Sequence, residues 1–113
     1  MTNKETLLAL EKEYEDFKQN ILRKDNVEIY NSCQQIHFYV AMYQYLIELC
    51  ELDSYYLHYL PKTDIIASLY AIYLTQNKPP ISKSLLKTIL DCYIILKQYE
   101  NIWGHKSTFI VIK

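Results

Sequence analysis

Glycine is nearly absent. A single Gly, Gly104, and three Pro among 113 residues leave little for the closely spaced turns of a β-sandwich or barrel. With no second glycine there is also no Gly-rich loop to cradle a phosphate. Arginine is almost missing too: Arg23 is the only one, and the lysines form no cluster, which disfavours direct nucleic-acid binding. The three cysteines, Cys33, Cys50 and Cys92, are odd in number and widely spaced. They read as buried reduced thiols of a cytoplasmic protein rather than as a disulfide framework. The amino terminus, MTNKETLLALEKEYEDF, is too charged for the apolar region of a signal peptide. Long apolar runs are lacking as well. Ile29–Ile47 carries no Asp, Glu, Lys or Arg, yet Asn31, Ser32, Gln34, Gln35, His37 and Gln44 interrupt it too often for a membrane span.

What is present is helical periodicity in a chain long enough for one domain. Thr2 with Glu5 forms a capping box, and Leu7, Leu10, Tyr14, Phe17 and Ile21 then recur at three and four, predicting a helix over residues 3–22 with an acidic outer face. Asp25 with Glu28 opens a second, central helix, in which Ile29, Cys33, Ile36, Val40, Tyr43 and Ile47 line one face as the expected core stripe. Asp53 or Ser54 caps a short helix that Pro61 stops, and Thr63 or Asp64 caps another that runs to about Gln76. Asn77-Lys78-Pro79-Pro80 is the clearest loop. Ser82 caps the last helix, with Ile81 and Leu86 placed as a hydrophobic staple and Leu85, Ile89, Cys92, Leu96, Tyr99 and Trp103 as its buried face, ending at Gly104. The expectation is an all-α bundle of four to five helices around an uncharged central helix. Residues 1–104 form a single domain, and 105–113, HKSTFIVIK, a short extended tail.

Charge is unevenly divided. Residues 1–60 hold five Lys/Arg against ten Asp/Glu, and residues 61–113 hold seven against three, so the halves are near −5 and +4. Opposed halves of this kind pack on each other, on a second copy, or steer a charged partner.

Candidate chemistry is sparse. Cys33 and His37 share a helix face, but zinc needs two further ligands and a catalytic cysteine needs an orienting partner and an oxyanion hole. No metal, cofactor or catalytic residue is therefore assigned. Twelve tyrosines are more informative. Tyrosine gives a large contact area at low entropic cost and is enriched at interfaces, although an A·T-rich genome would also raise its frequency. The flank bearing His37, Tyr45, Tyr55, Tyr56 and Tyr59 is the expected partner-binding face, followed by the acidic surface of the first helix, Glu11, Glu15 and Asp16. Phe38, Tyr39, Met42, Tyr45 and Leu46 lie off the expected core stripe, which predicts a homodimer or a complex with another protein.

The segments LLALEKEYEDF, VEIYNSC, IELCELD, LYAIYL and LLKTILDCY, spread over residues 7–93, resemble a family of short uncharacterised helical domains from Gram-positive gut bacteria and their mobile elements. The resemblance implies a small helical fold and a mobile-element setting, and carries no residue roles. The resulting expectation is a non-enzymatic protein-binding module, in its specific form a phage or mobile-element inhibitor of a host defence protein such as a CRISPR nuclease. The alternative is a small helix-turn-helix regulator with LPKTD as the turn.

Overall fold

A computed structural model describes residues 2–77 and 79–103, with side chains through Glu100. It is all-α, with no strand among the described residues. Among the described residues five α-helices follow in order: α1 (Asn3–Leu22), α2 (Asn26–Asn31), α3 (Cys33–Glu51), α4 (Ile65–Tyr73) and α5 (Lys83–Trp103), with a 3₁₀ turn, Tyr55–Tyr59, between α3 and α4. Gly104 and the tail lie outside the described residues.

Helix α1 begins where its own residues say it should. The Thr2 hydroxyl accepts from the Glu5 amide at 3.1 Å, and the Glu5 carboxylate accepts from the Thr2 amide at 3.0 Å. Asp25 and Glu28 repeat that box at 2.9 and 3.2 Å. The helix they open is interrupted, however: α2 stops at Asn31, and Ser32 (φ −98°, ψ 6°) separates it from α3. Asn and Ser side chains compete locally for backbone partners, and here two stand in succession.

This break corrects the expected core stripe. Ile29 belongs to α2, Cys33 is exposed, and Ile36, Val40, Tyr43 and Ile47 are half-buried. The residues of α3 that are buried are Phe38, Tyr39, Met42, Tyr45, Leu46 and Leu49. The buried face thus lies roughly a third of a turn away from the expected one. Counting the period across Ser32 joined two helices into a single phase. The expected face on α3 is a flank that α1 partly covers, with Tyr14 stacked on Tyr43 and Phe17 on Tyr39, both at 4.0 Å between ring centres.

The same correction applies to α5. Leu86, Ile89, Leu90, Tyr93 and Ile94 close the core, whereas Leu85 and Cys92 are half-buried and Leu96 and Tyr99 are exposed. Helix α4 contributes Ile65, Ile66, Leu69 and Tyr73, and α1 contributes Leu10. Each fully buried aliphatic side chain stabilises by about 1.5–3 kcal/mol relative to exposure. Tyr73 is completely buried yet satisfied: its hydroxyl donates to the Pro79 carbonyl and accepts from Gln34 Nε2, both at 3.0 Å.

Two joints are made by residues far apart in the chain. At the end of α3 the Ser54 amide bonds the Leu49 carbonyl (3.0 Å) and the Asp53 amide bonds that of Cys50 (3.2 Å), with Asp53 at φ 56°. This is a Schellman ending, and the Asn3 side chain, from the start of α1, donates to the Asp53 carboxylate. At the start of α4, Asp64 stands at φ 53°, ψ 44° and makes no side-chain cap. Glu13 of α1 does that work, its two oxygens accepting from the Ile66 and Ala67 amides at 2.9 Å each.

Candidate functional site

In the 3₁₀ turn burial repeats every third residue, as three residues per turn require. Leu57 and Leu60 are buried and pin it to the core, so Tyr55 and His58 face outward while Tyr56 and Tyr59 are half-buried. Ser54 starts the turn by accepting from the Tyr56 amide at 3.3 Å, and Pro61 follows an extended Leu60 that ends it. Tyr55 is 63% exposed. Its ring lies 4.7 Å from that of Tyr56 and 6.4 Å, nearly perpendicular, from that of Tyr59. Hydrogen bonding with Tyr56 is the largest influence raising the Tyr55 hydroxyl above its ordinary pKa.

Helix α5 links this cluster to α3. Lys87 Nζ sits 5.8 Å from the Tyr56 ring centre and 3.1 Å from Asp91. Lys83 pairs with Glu48 of α3 at 2.9 Å. Between α3 and the start of α5 runs a groove of about 220 Å³ bordered by His37, Gln44, Tyr45, Glu48, Lys83 and Leu86. Tyr45 is 8% exposed. Burial is the main cause that raises its hydroxyl pKa, and Lys87 and Asp91 act on it with opposite signs. Tyr55, Tyr56 and Tyr59 form a cluster, His37 and the edge of Tyr45 border the α3–α5 groove, and Lys87 acts on both Tyr56 and Tyr45.

Two expectations need correction here. Tyr45 is a core residue that offers only an edge, and Phe38, Tyr39, Met42 and Leu46, expected to face a partner, are buried within the chain. Rotation of α3 accounts for both. The strip of α3 that stays open is instead Cys33, Gln34, His37 and Gln44, uncharged side chains polar enough to face water. The charged residues around the cluster and the groove, Glu48, Lys83, Lys87 and Asp91, were missed. The Lys87–Asp91 spacing of four was visible, but nothing local places Lys83 beside Glu48.

Glu11, Glu15 and Asp16 lie elsewhere, exposed on α1. Asp16 pairs with Lys12 and Glu15 with Lys18, each at 3.1 Å. Hydrogen bonding from Gln19, then from Lys18, lowers the Glu15 carboxyl pKa. A second groove, about 460 Å³, opens where α1 meets α4, beside Glu13, Phe17, Tyr39, Lys62 and Asp64. Both Glu13 oxygens there are engaged by α4.

The thiols differ from the expectation of burial: Cys33 is exposed, Cys50 and Cys92 are half-buried, and all three are free. Burial, then the Glu51 charge, raises the Cys50 pKa. Among the described residues no three His, Cys, Asp or Glu gather as a metal site, and no helix is long and apolar enough to cross a membrane. The supposed helix-turn-helix consists of a five-residue 3₁₀ turn and a nine-residue α4 that buries Ile65, Ile66, Leu69 and Tyr73. That pair lacks a helix with a basic face to enter a major groove. Compared with family models, curated proteins and solved structures, the chain has no significant match in any of the three.

Proposed function

We propose that the chain is a non-enzymatic protein-binding module that works through the face formed by the 3₁₀ turn, the open strip of α3 and the start of α5. The observation that carries this reading is Tyr55, 63% exposed on a turn whose neighbours Leu57 and Leu60 are buried. An aromatic platform held from beneath loses little entropy on binding, and such residues dominate the energy of interfaces. The surrounding ion pairs, Lys83–Glu48 and Lys87–Asp91, contribute little stability as exposed pairs but orient an incoming polar rim. In its specific form the module is a mobile-element inhibitor that occupies a host defence protein such as a CRISPR nuclease. That form rests on the sequence resemblance, and a genomic neighbourhood of housekeeping genes would count against it.

The test is capture of the partner from host lysate with the parent protein, followed by measured affinities of variants. Tyr55→Ala and Tyr56→Ala should each lower affinity by about 2 kcal/mol, near thirtyfold, with helix content unchanged. Tyr45→Phe is the appropriate change at Tyr45, because truncation to Ala would also open the core. Equal retention of the partner by both alanine variants and the parent would remove this face, and Glu11, Glu15 and Asp16 would then be tested. Self-association belongs to the same reading as an expectation, but the α3 side chains first expected to support it are consumed by the core.

A further inference from the structure

Between Leu10 and Phe38 no residue of the chain is buried. The least covered part of that stretch is the turn from α1 into α2, where Leu22 is 75% exposed, Val27 68% and Tyr30 77%. Helix α2 has no buried residue. The one arginine of the chain, Arg23, stands in this turn and is exposed. The backbone bonds that close the turn are local: the Arg23 amide donates to the Asn20 carbonyl at 3.3 Å, the Lys24 amide to that of Ile21 at 3.1 Å, and the Ile29 and Ser32 amides to those of Asp25 and Glu28 at 3.0 Å each. A six-residue helix is too short to hold itself, and opening this one takes no buried side chain out of the core. The turn therefore opens without the bundle. Lys62 and Lys83 stand at other connections, but those are held. Lys62 lies between the buried Leu60 and the buried Ile65. Lys83 is tied to Glu48 at 2.9 Å, and the Pro79 carbonyl before it to Tyr73 at 3.0 Å.

We propose that the Arg23–Lys24 bond is a processing site, cut in the folded chain by an arginine-specific endoprotease, and that the cut chain stays assembled. Such an enzyme takes an arginine side chain into an acidic specificity pocket and needs the residues on both sides of the bond in extended form. The α1–α2 turn supplies both at the cost of a local opening. Hydrolysis adds one water across the amide, leaving a carboxylate on Arg23 and an amino group on Lys24. The fragments remain together because what binds α1 to the bundle lies well before the cut. Leu10 is in the core, Glu13 caps α4, and Tyr14 and Phe17 are stacked on rings of α3. None of these contacts uses the tyrosine face of the 3₁₀ turn, so the two readings stand or fall separately.

Digestion of the folded full chain with an arginine-specific endoprotease tests it. Two fragments are expected, residues 1–23 and 24–113, which elute together from a native sizing column at the volume of the parent and part only in denaturant. The rate of cutting should be the same in water and in urea below the unfolding transition, because a local opening exposes little surface. Trypsin should cut at Arg23 or Lys24 before it cuts at Lys62 or Lys83. Hydrogen exchange measures the opening without any protease: the Ile29 and Ser32 amides should exchange about a hundredfold faster than that of Met42. A chain that resists the arginine-specific enzyme until it unfolds, a rate that climbs with urea throughout, or a first tryptic cut at Lys62 or Lys83 would each overturn the proposal. So would Ile29 and Ser32 amides as protected as that of Met42, or fragments that separate on the native column.

Discussion

Helices α1 and α4 start from the same difficulty, four backbone amides with no partner in the helix, and meet it in opposite ways. Helix α1 supplies its own answer, Thr2 and Glu5 within one turn. Helix α4 borrows its answer from Glu13, fifty-three residues before Ile66, while its own candidate cap, Asp64, sits in the left-handed region with no side-chain bond. A locally capped helix of 20 residues can persist in part without its neighbours. A nine-residue helix capped from outside is too short to survive alone. The α1 segment as a peptide should therefore show measurable helicity by circular dichroism and the α4 segment none. Helicity in the isolated α4 segment would break the contrast.

Within the folded chain the largest expected effect lies on the α4 side. Leu69 is fully buried and Leu8 on α1 is 57% exposed. Leu69→Ala should cost about 2–5 kcal/mol and Leu8→Ala under about 0.5, read as urea midpoints. Next comes the cap itself. Glu13→Ala removes two charge-assisted bonds and strands two amides, and should cost about 1.5–3 kcal/mol. Thr2→Ala should cost about 1. If Thr2→Ala proves the more damaging, the long-range joint is not what holds α4.

The same contrast explains what could be read in advance. The whole of α1, the Asp25–Glu28 box and the Ser82 start of α5 follow from neighbours in sequence, and so did the all-α fold. The phases of α3 and α5 did not. In α3 two ladders compete, Ile36–Val40–Tyr43–Ile47 and Phe38–Met42–Tyr45–Leu49, and spacing alone cannot rank them; the Asn31–Ser32 interruption then falsely lengthened the first. In α5 the expected ladder is divided, with Ile89 buried, Leu85 and Cys92 half-buried, and Leu96 and Tyr99 exposed. That Tyr55, Tyr56 and Tyr59 lie together follows from their closeness in a segment that a proline ends, whereas the flank expected to carry them was drawn from a core stripe that the structure rotates. The charges joining the cluster to α5 depend on pairing between helices and were not legible.

Tyrosine ionisation gives a smaller effect that reaches across the joint. Burial is the main cause raising the hydroxyl pKa values of Tyr39, Tyr45, Tyr70 and Tyr93, and the Glu13 charge is the next largest influence on Tyr39. The folded chain therefore holds these protons more tightly than the unfolded chain does. Their contribution to stability is intact below the ordinary tyrosine value near pH 10, and it is lost as pH rises through the higher folded values. Urea midpoints should be flat from neutrality to about pH 9 and fall beyond about pH 10, with Tyr39→Phe reducing the fall. An alkaline slope unchanged by Tyr39→Phe would show that this ring does not couple α1 to α4.

The smallest effect separates the two strained joints. Asp64 and Asp53 share nearly the same left-handed φ, 53° and 56°, a conformation that glycine adopts freely and that other residues reach at a penalty of about 1–2 kcal/mol, somewhat less for Asp. Glycine also gives the unfolded chain more freedom, which returns roughly 0.5–1 kcal/mol in the other direction. At Asp64, whose side chain makes no cap, the two nearly cancel, so Asp64→Gly should leave stability unchanged or raise it by up to about 0.5 kcal/mol. At Asp53 the carboxylate receives the Asn3 side chain that ties α1 to α3, and Asp53→Gly should lower stability by about 1 kcal/mol. The sign of the difference decides the matter. Equal responses at the two positions would mean that Glu13 leaves Asp64 a part in starting α4, and that the helix is less dependent on α1 than its geometry implies.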